Sequence, residues 1–209
     1  MNFRAVLAVL VTLTMLATSG CRESSRKESV HFVKLGLDIP STYFDGNSDS
    51  TPPSGDEDYG VIHLIFPSMR PAKSSEWNDP NHVRVTIRRI KNATRTEQLL
   101  SDYERLKYST APARPMLVAS SAAERKFLVQ VSPGSGDVAT YVVRTLSDGS
   151  HLSIEDSGTW AYTFSCNRRI GEVEVTYQFR KSGGPDAATL DGAVVSLVER
   201  LTSSPDFKR

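Results

Sequence analysis

Alternation with a period of two constrains this chain more than any other feature. Between 172 and 180, Val173, Val175, Tyr177 and Phe179 alternate with Glu174, Thr176 and Gln178; between 83 and 88, Val83, Val85 and Ile87 alternate with Arg84, Thr86 and Arg88. Successive side chains of an extended strand point to opposite faces, so each segment reads as a strand with an apolar face against a core and a polar face outward. Strands of this kind belong to antiparallel sheets, because parallel strands are covered on both sides and read as continuous apolar runs.

The same reading predicts strands over 30–37, 60–66, 116–119, 126–131, 138–146 and 151–155, with Asp148-Gly149 as the hairpin turn between the last two. Pro40 and Pro67 end strands, because proline cannot donate to a ladder. Two stretches follow helical spacing instead. Thr94 and Glu97 form a capping-box pattern ahead of Leu99, Leu100, Tyr103 and Leu106, and Leu190, Val194, Leu197, Val198 and Leu201 make an apolar stripe over 186–201. Runs of strands with two helices set among them, rather than alternating one for one, imply an α+β fold: a single antiparallel sheet with two main helices packed on it.

The first segment carries Arg4 and then an apolar stretch over 5–17, too short to span a bilayer but right for the core of an export signal. Thr18, Ser19 and Gly20 precede Cys21 and resemble the lipobox of bacterial lipoproteins, although Thr18 stands where leucine is usual. The resemblance implies removal of residues 1–20, lipid on Cys21 and attachment to the membrane through it. It also implies an outer rather than inner membrane address, facing the periplasm, because Arg22 stands where aspartate favours inner-membrane retention. Residues 21–29 are polar and mixed in charge, a tether to a single domain over 30–209. Ser24 and Lys27 have the spacing of serine–lysine acylating enzymes, but a tether cannot hold a nucleophile in a rigid pocket.

Without Arg4, the 25 lysines and arginines become 24 against 24 acids, which argues against a nucleic-acid partner. With Cys21 acylated, Cys166 is the one remaining cysteine, so no internal disulfide forms, and its place in 162–166 puts the thiol on or near the core face. His31, His63, His82 and His151 show no metal-ligand spacing, and there is no nucleophile elbow, phosphate loop or dinucleotide fingerprint. In the acidic loop, Asp45, Asn47 and Asp49 alternate like the first ligands of a calcium loop, with Asp56 at the twelfth place. Ser50 replaces the required glycine and the last ligand is not glutamate, so a solvated loop is expected, and no metal or cofactor.

Two loops, 45–59 and 68–82, are the expected protein-contact surface, with Asp45, Asp49, Asp56, Glu57 and Asp58 in the first and Trp77 in the second. Arg84, Arg88, Arg89, Lys91 and Arg95 gather the opposite charge, a separation that could steer a charged partner. The run Phe32-Val33-Lys34-Leu35-Gly36-Leu37-Asp38-Ile39-Pro40, then Tyr43, a basic strand and a capped helix, resembles the opening of PsbP/Mog1-like domains. That resemblance implies an antiparallel sheet flanked by helices and used for binding rather than chemistry. In size and address the chain also resembles the immunity lipoproteins that bacteria keep beside secreted toxins. The function expected is therefore a non-enzymatic protein-binding module on the envelope. The alternatives are an enzyme assembled from His63, Asp58 and Cys166, or a structural part of an envelope assembly.

Overall fold

The computed structural model describes residues 29–44, 54–110, 114–131, 136–158 and 163–202. Its first elements are β1 (Ser29–Phe32) and β2 (Leu37–Pro40), a separate antiparallel hairpin. The sequence predicts one continuous strand over 30–37. The chain turns inside it instead, through 33–36, with Gly36 at φ 69° and the Leu35 and Gly36 amides donating to the Phe32 carbonyl.

The main sheet follows: β3 (Tyr59–Ile65), β4 (Arg70–Pro71), β5 (His82–Arg89), then helix α1 (Arg95–Leu106), β6 (Met116–Ser120), β7 (Glu124–Gln130), β8 (Val138–Thr145), β9 (His151–Asp156), β10 (Thr163–Ile170), β11 (Val173–Arg180) and helix α2 (Ala187–Thr202). Nine strands lie in the order β4-β3-β5-β11-β10-β9-β8-β7-β6, every pair antiparallel. The fold is α+β and mostly sheet. After β5 the chain crosses to the far edge through α1 and returns as a meander until β11 pairs with β5.

The two helices sit on opposite faces. On β10, Arg168 reaches Asp191 of α2, whereas its neighbours Asn167 and Arg169 reach Thr96 and Glu97 of α1, and adjacent residues on a strand face opposite ways. The α2 face holds the main core. Val83, Val85 and Ile87 of β5, Val173, Val175, Tyr177 and Phe179 of β11, and Leu190, Val194, Leu197, Val198 and Leu201 of α2 pack there with Phe32, Leu37 and Ile39 of the hairpin. Each such side chain fully removed from water contributes about 1.5–3 kcal/mol. Within this core the Tyr177 hydroxyl donates to Asp191 at 2.7 Å and Arg168 donates to the same carboxylate at 2.6 Å, tying α2 to the sheet.

On the other face, Leu99 of α1 packs with Phe127 and Val143, joined by Leu100, Tyr103 and Tyr141. Helix α1 thus covers the β7–β10 half of this face and leaves the β3–β5–β11 half without a helix over it among the described residues.

Candidate functional site

The open half of the α1 face carries Val61 and His63 of β3, Arg84 and Thr86 of β5, and Thr176, Gln178 and Arg180 of β11, aligned by register: His63 opposite Arg84, and Arg84 opposite Gln178. The loop from β4 to β5 folds onto it. Glu76 ends the short 3-10 turn Ser74–Glu76, receives a two-pronged hydrogen bond from Arg70 at 2.9 and 2.6 Å and accepts from the Lys73 backbone at 2.8 Å. These bonds hold its carboxyl down near 2, the Arg70 guanidinium first among them. Asp79 then accepts from the Asn81 backbone at 2.7 Å and sets the entry to β5.

So anchored, the loop lays Trp77 flat on His63, ring centres 4.4 Å apart and planes at 15°. His63 in turn stacks on His82 at 5.1 Å, and the His63 Nδ1 and His82 Nε2 atoms lie 2.9 Å apart, one donating and the other accepting. That bond requires at least one bare ring nitrogen. Burial first, then His82 and Arg84, push His63 down to about 4. Burial and Arg180 lower His82 as well, against the opposing pull of Asp79. Both rings are therefore neutral at pH 7 and act as a stacked support. The Trp77 indole N–H is shielded from solvent and has no acceptor among the described residues.

Beside this stack is a cleft of about 420 Å³ whose walls are Trp77, His82, Arg84, Thr163, Gln178 and Arg180, with Phe179 in its floor. Arg84 donates to the Gln178 side-chain oxygen at 3.2 Å and Arg180 to that of Asn78 at 3.3 Å. Both guanidiniums are bonded to neutral amides, and neither forms an ion pair among the described residues.

Two residues nominated from the sequence, Trp77 and Arg84, meet at this cleft; Trp77 is half-buried against His63 rather than freely exposed. Arg88 is elsewhere, bonded to the buried Glu174, and Arg95 pairs with Glu155 at 3.1 Å. The acidic loop and the basic strand are not fully separate, because Asp58 pairs with Lys91 at 2.7 Å. Glu57 is spent on its own turn, accepting from the Ser54 and Gly55 amides, and Asp56 is exposed. Asp45 and Asp49, with most of the suggested calcium loop, and Cys21 lie outside the described residues. Among the described residues no cluster of three or more potential metal ligands occurs.

His63, Asp58 and Cys166 are not assembled. Cys166 is buried on the α2 face, where burial pushes its thiol up to about 12, while His63 lies on the opposite face, buried beneath Trp77. His82, Gln178 and Arg180 were missed by sequence reasoning. Their signal was the even-numbered polar face of β5 and β11, meaningful only once those strands are known to pair.

No protein-family model matches the chain, and no curated protein matches it. A solved structure similar to it is that of the iron-regulated outer membrane lipoprotein FrpD of Neisseria meningitidis, at 13% identity and a TM-score of 0.46, covering 80% of this chain and 88% of that one.

Proposed function

We propose that this chain is an envelope lipoprotein, held in the membrane through lipid on Cys21, whose domain is a non-enzymatic protein-binding module of the immunity or inhibitor kind. Its partner meets the open half of the α1 face. The observation that carries this reading is the convergence of Trp77 and Arg84 on one cleft, on a half-face that no helix covers among the described residues. Tryptophan and arginine concentrate binding energy at protein interfaces, most of all where a rigid neighbour fixes them in place, and the stacked histidines do this for Trp77. The anchor rests on the apolar segment and small residues ahead of Cys21. Among the described residues no helix is long and apolar enough to cross a membrane.

The full-length chain, carrying a C-terminal tag and extracted in mild detergent, retains a stoichiometric protein from envelope or secreted fractions of the source cells. The Trp77→Ala, Arg84→Glu double variant loses it. A partner retained by that variant moves the surface elsewhere, and the absence of any partner from both fractions overturns the module. For the anchor, Cys21→Ser shifts the protein out of the membrane pellet; unchanged fractionation overturns the lipid assignment.

A further inference from the structure

We propose that the cleft between Trp77 and Arg180 is a subsite for a carboxylate carried on an apolar or aromatic group. As the acidic side chain or chain terminus of a protein, that group deepens the module reading and rests on it; as a free small carboxylic acid, it stands alone.

Three observations converge on this chemistry. First, Arg84 and Arg180 occupy diagonal positions on adjacent strands, since Arg84 is opposite Gln178 and Arg180 lies two residues further on the same face. Diagonal neighbours sit about 7–8 Å apart at the backbone, so two flexible guanidiniums there can reach one anion from two sides. Second, their hydrogen bonds go to the amide oxygens of Gln178 and Asn78, weaker acceptors than a carboxylate. Other cations of this face do have carboxylates: Arg88 with Glu174, Arg95 with Glu155 and Arg169 with Glu97. Among the described residues the cleft lining holds no acid, and Asp79, close enough to act on His82, is engaged by the Asn81 amide. Third, neutral donors surround the pair. Gln178, having given its oxygen to Arg84, keeps an amide NH2 with no acceptor among the described residues, and the Thr163 hydroxyl flanks Arg180 from β10, where the two residues are register partners.

The choice of a carboxylate over phosphate follows from the rest of the lining. Positive charge comes from two guanidiniums alone, because the stacked histidines are neutral, and a planar carboxylate matches a guanidinium fork. The Trp77 ring and the aliphatic arms of the two arginines supply an apolar wall that inorganic phosphate would leave unused.

The test uses the full chain in detergent on a Trp160→Phe background, which leaves Trp77 as the sole tryptophan. N-acetylphenylalanine is titrated while Trp77 fluorescence is followed, with N-acetylphenylalanine amide and inorganic phosphate as controls. The acid changes the emission saturably and the amide does so at least tenfold more weakly. Arg84→Ala and Arg180→Ala each weaken the acid at least tenfold, and Arg84→Lys, which keeps the charge but not the fork, falls between. Arg89→Ala, off the cleft, binds as the parent does. Equal binding of acid and amide, phosphate binding as well as the acid, or full binding by both alanine variants overturns the proposal. Capture of the partner by the same variants separates the sources. Loss of acid and partner together assigns the carboxylate to the partner. Loss of the acid with the partner retained supports a free acid and counts only against the placement of the protein interface.

Discussion

The two halves of one sheet face make the instructive contrast. Under the start of α1, charge is compensated several times over. Glu174, 3% exposed, accepts from the Arg95 backbone at 2.6 Å, from the Asn167 amide at 2.8 Å and from Arg88. Burial alone would raise its pKa; these hydrogen bonds outweigh burial and hold it below the ordinary carboxylate range. The first amides of α1 are satisfied one by one, Arg95 by Glu174, Thr96 by Asn167 and Glu97 by Thr94, which leaves no orphan donors to expose. At the other end of the same strands, Arg84 and Arg180 have only neutral acceptors. Like residues on like strands thus serve different ends: closed networks hold α1 on the sheet, and unclosed ones are left for a visitor.

Glu174→Ala tests the contrast with the largest expected effect. It strands the Arg95 backbone amide and one N–H of Asn167, releases the exposed Arg88 guanidinium to water, and lowers unfolding free energy in urea by about 2–3 kcal/mol; a loss under 1 kcal/mol would deny the network its structural part. Thr96→Val comes next, at roughly 1–2 kcal/mol, because its buried hydroxyl joins Ser153 at 2.7 Å and Asn167 at 2.9 Å. Acid comes third. His63 titrates near 4 in the fold against an ordinary value near 6.5, so between those values the unfolded chain binds more protons and stability rises with pH. The contribution is complete above about 6.5 and fades as pH falls towards 4. The thermal midpoint at pH 5 therefore lies a few degrees below that at pH 7, at about 2–4 °C per kcal/mol for a chain of this size. His63→Phe keeps the stack on Trp77 and flattens that slope; an equally steep slope in the variant would place the titration elsewhere. The smallest stability effect belongs to Arg84→Ala and Arg180→Ala, within about 0.5 kcal/mol of the parent. A cost of 2 kcal/mol or more would make these arginines structural and erase the distinction between the halves.

Much of the scaffold is legible in the chain. The alternation at 83–88 and 172–180, the Thr94–Glu97 capping box and the stripe from Leu190 to Leu201 each correspond to an element with that burial. All rest on near-neighbour physics, and so sequence spacing reports them. The hairpin inside 30–37 escaped because Val33 and Leu35 are apolar in a turn, and only Gly36 marks the reversal. Which face each helix covers also escaped, since periodicity tells that a strand has two faces but not what lies over each. The cleft was half legible: Trp77 and Arg84 stand out by type, but Gln178 and Arg180 join them through a strand pairing that closes across 94 residues. Glu174 likewise reads as an ordinary outward residue of an alternating strand until Arg95, 79 residues away, is brought over it.

The pairing of β5 with β11 has a consequence for how the molecule is made. Between them in sequence lies everything from α1 to β10, so the central ladder of the sheet forms only after a large loop closes, with its entropic cost borne before the contacts form. The segment up to β5 has only β3 and the β1–β2 hairpin to pack against, and the cover on Val83, Val85 and Ile87 is completed only when the last strand and α2 arrive. Folding is therefore expected to be slow and to wait for the C-terminal quarter of the chain. A chain cut short before β11 is left with an apolar strand edge and aggregates rather than surviving as a smaller domain.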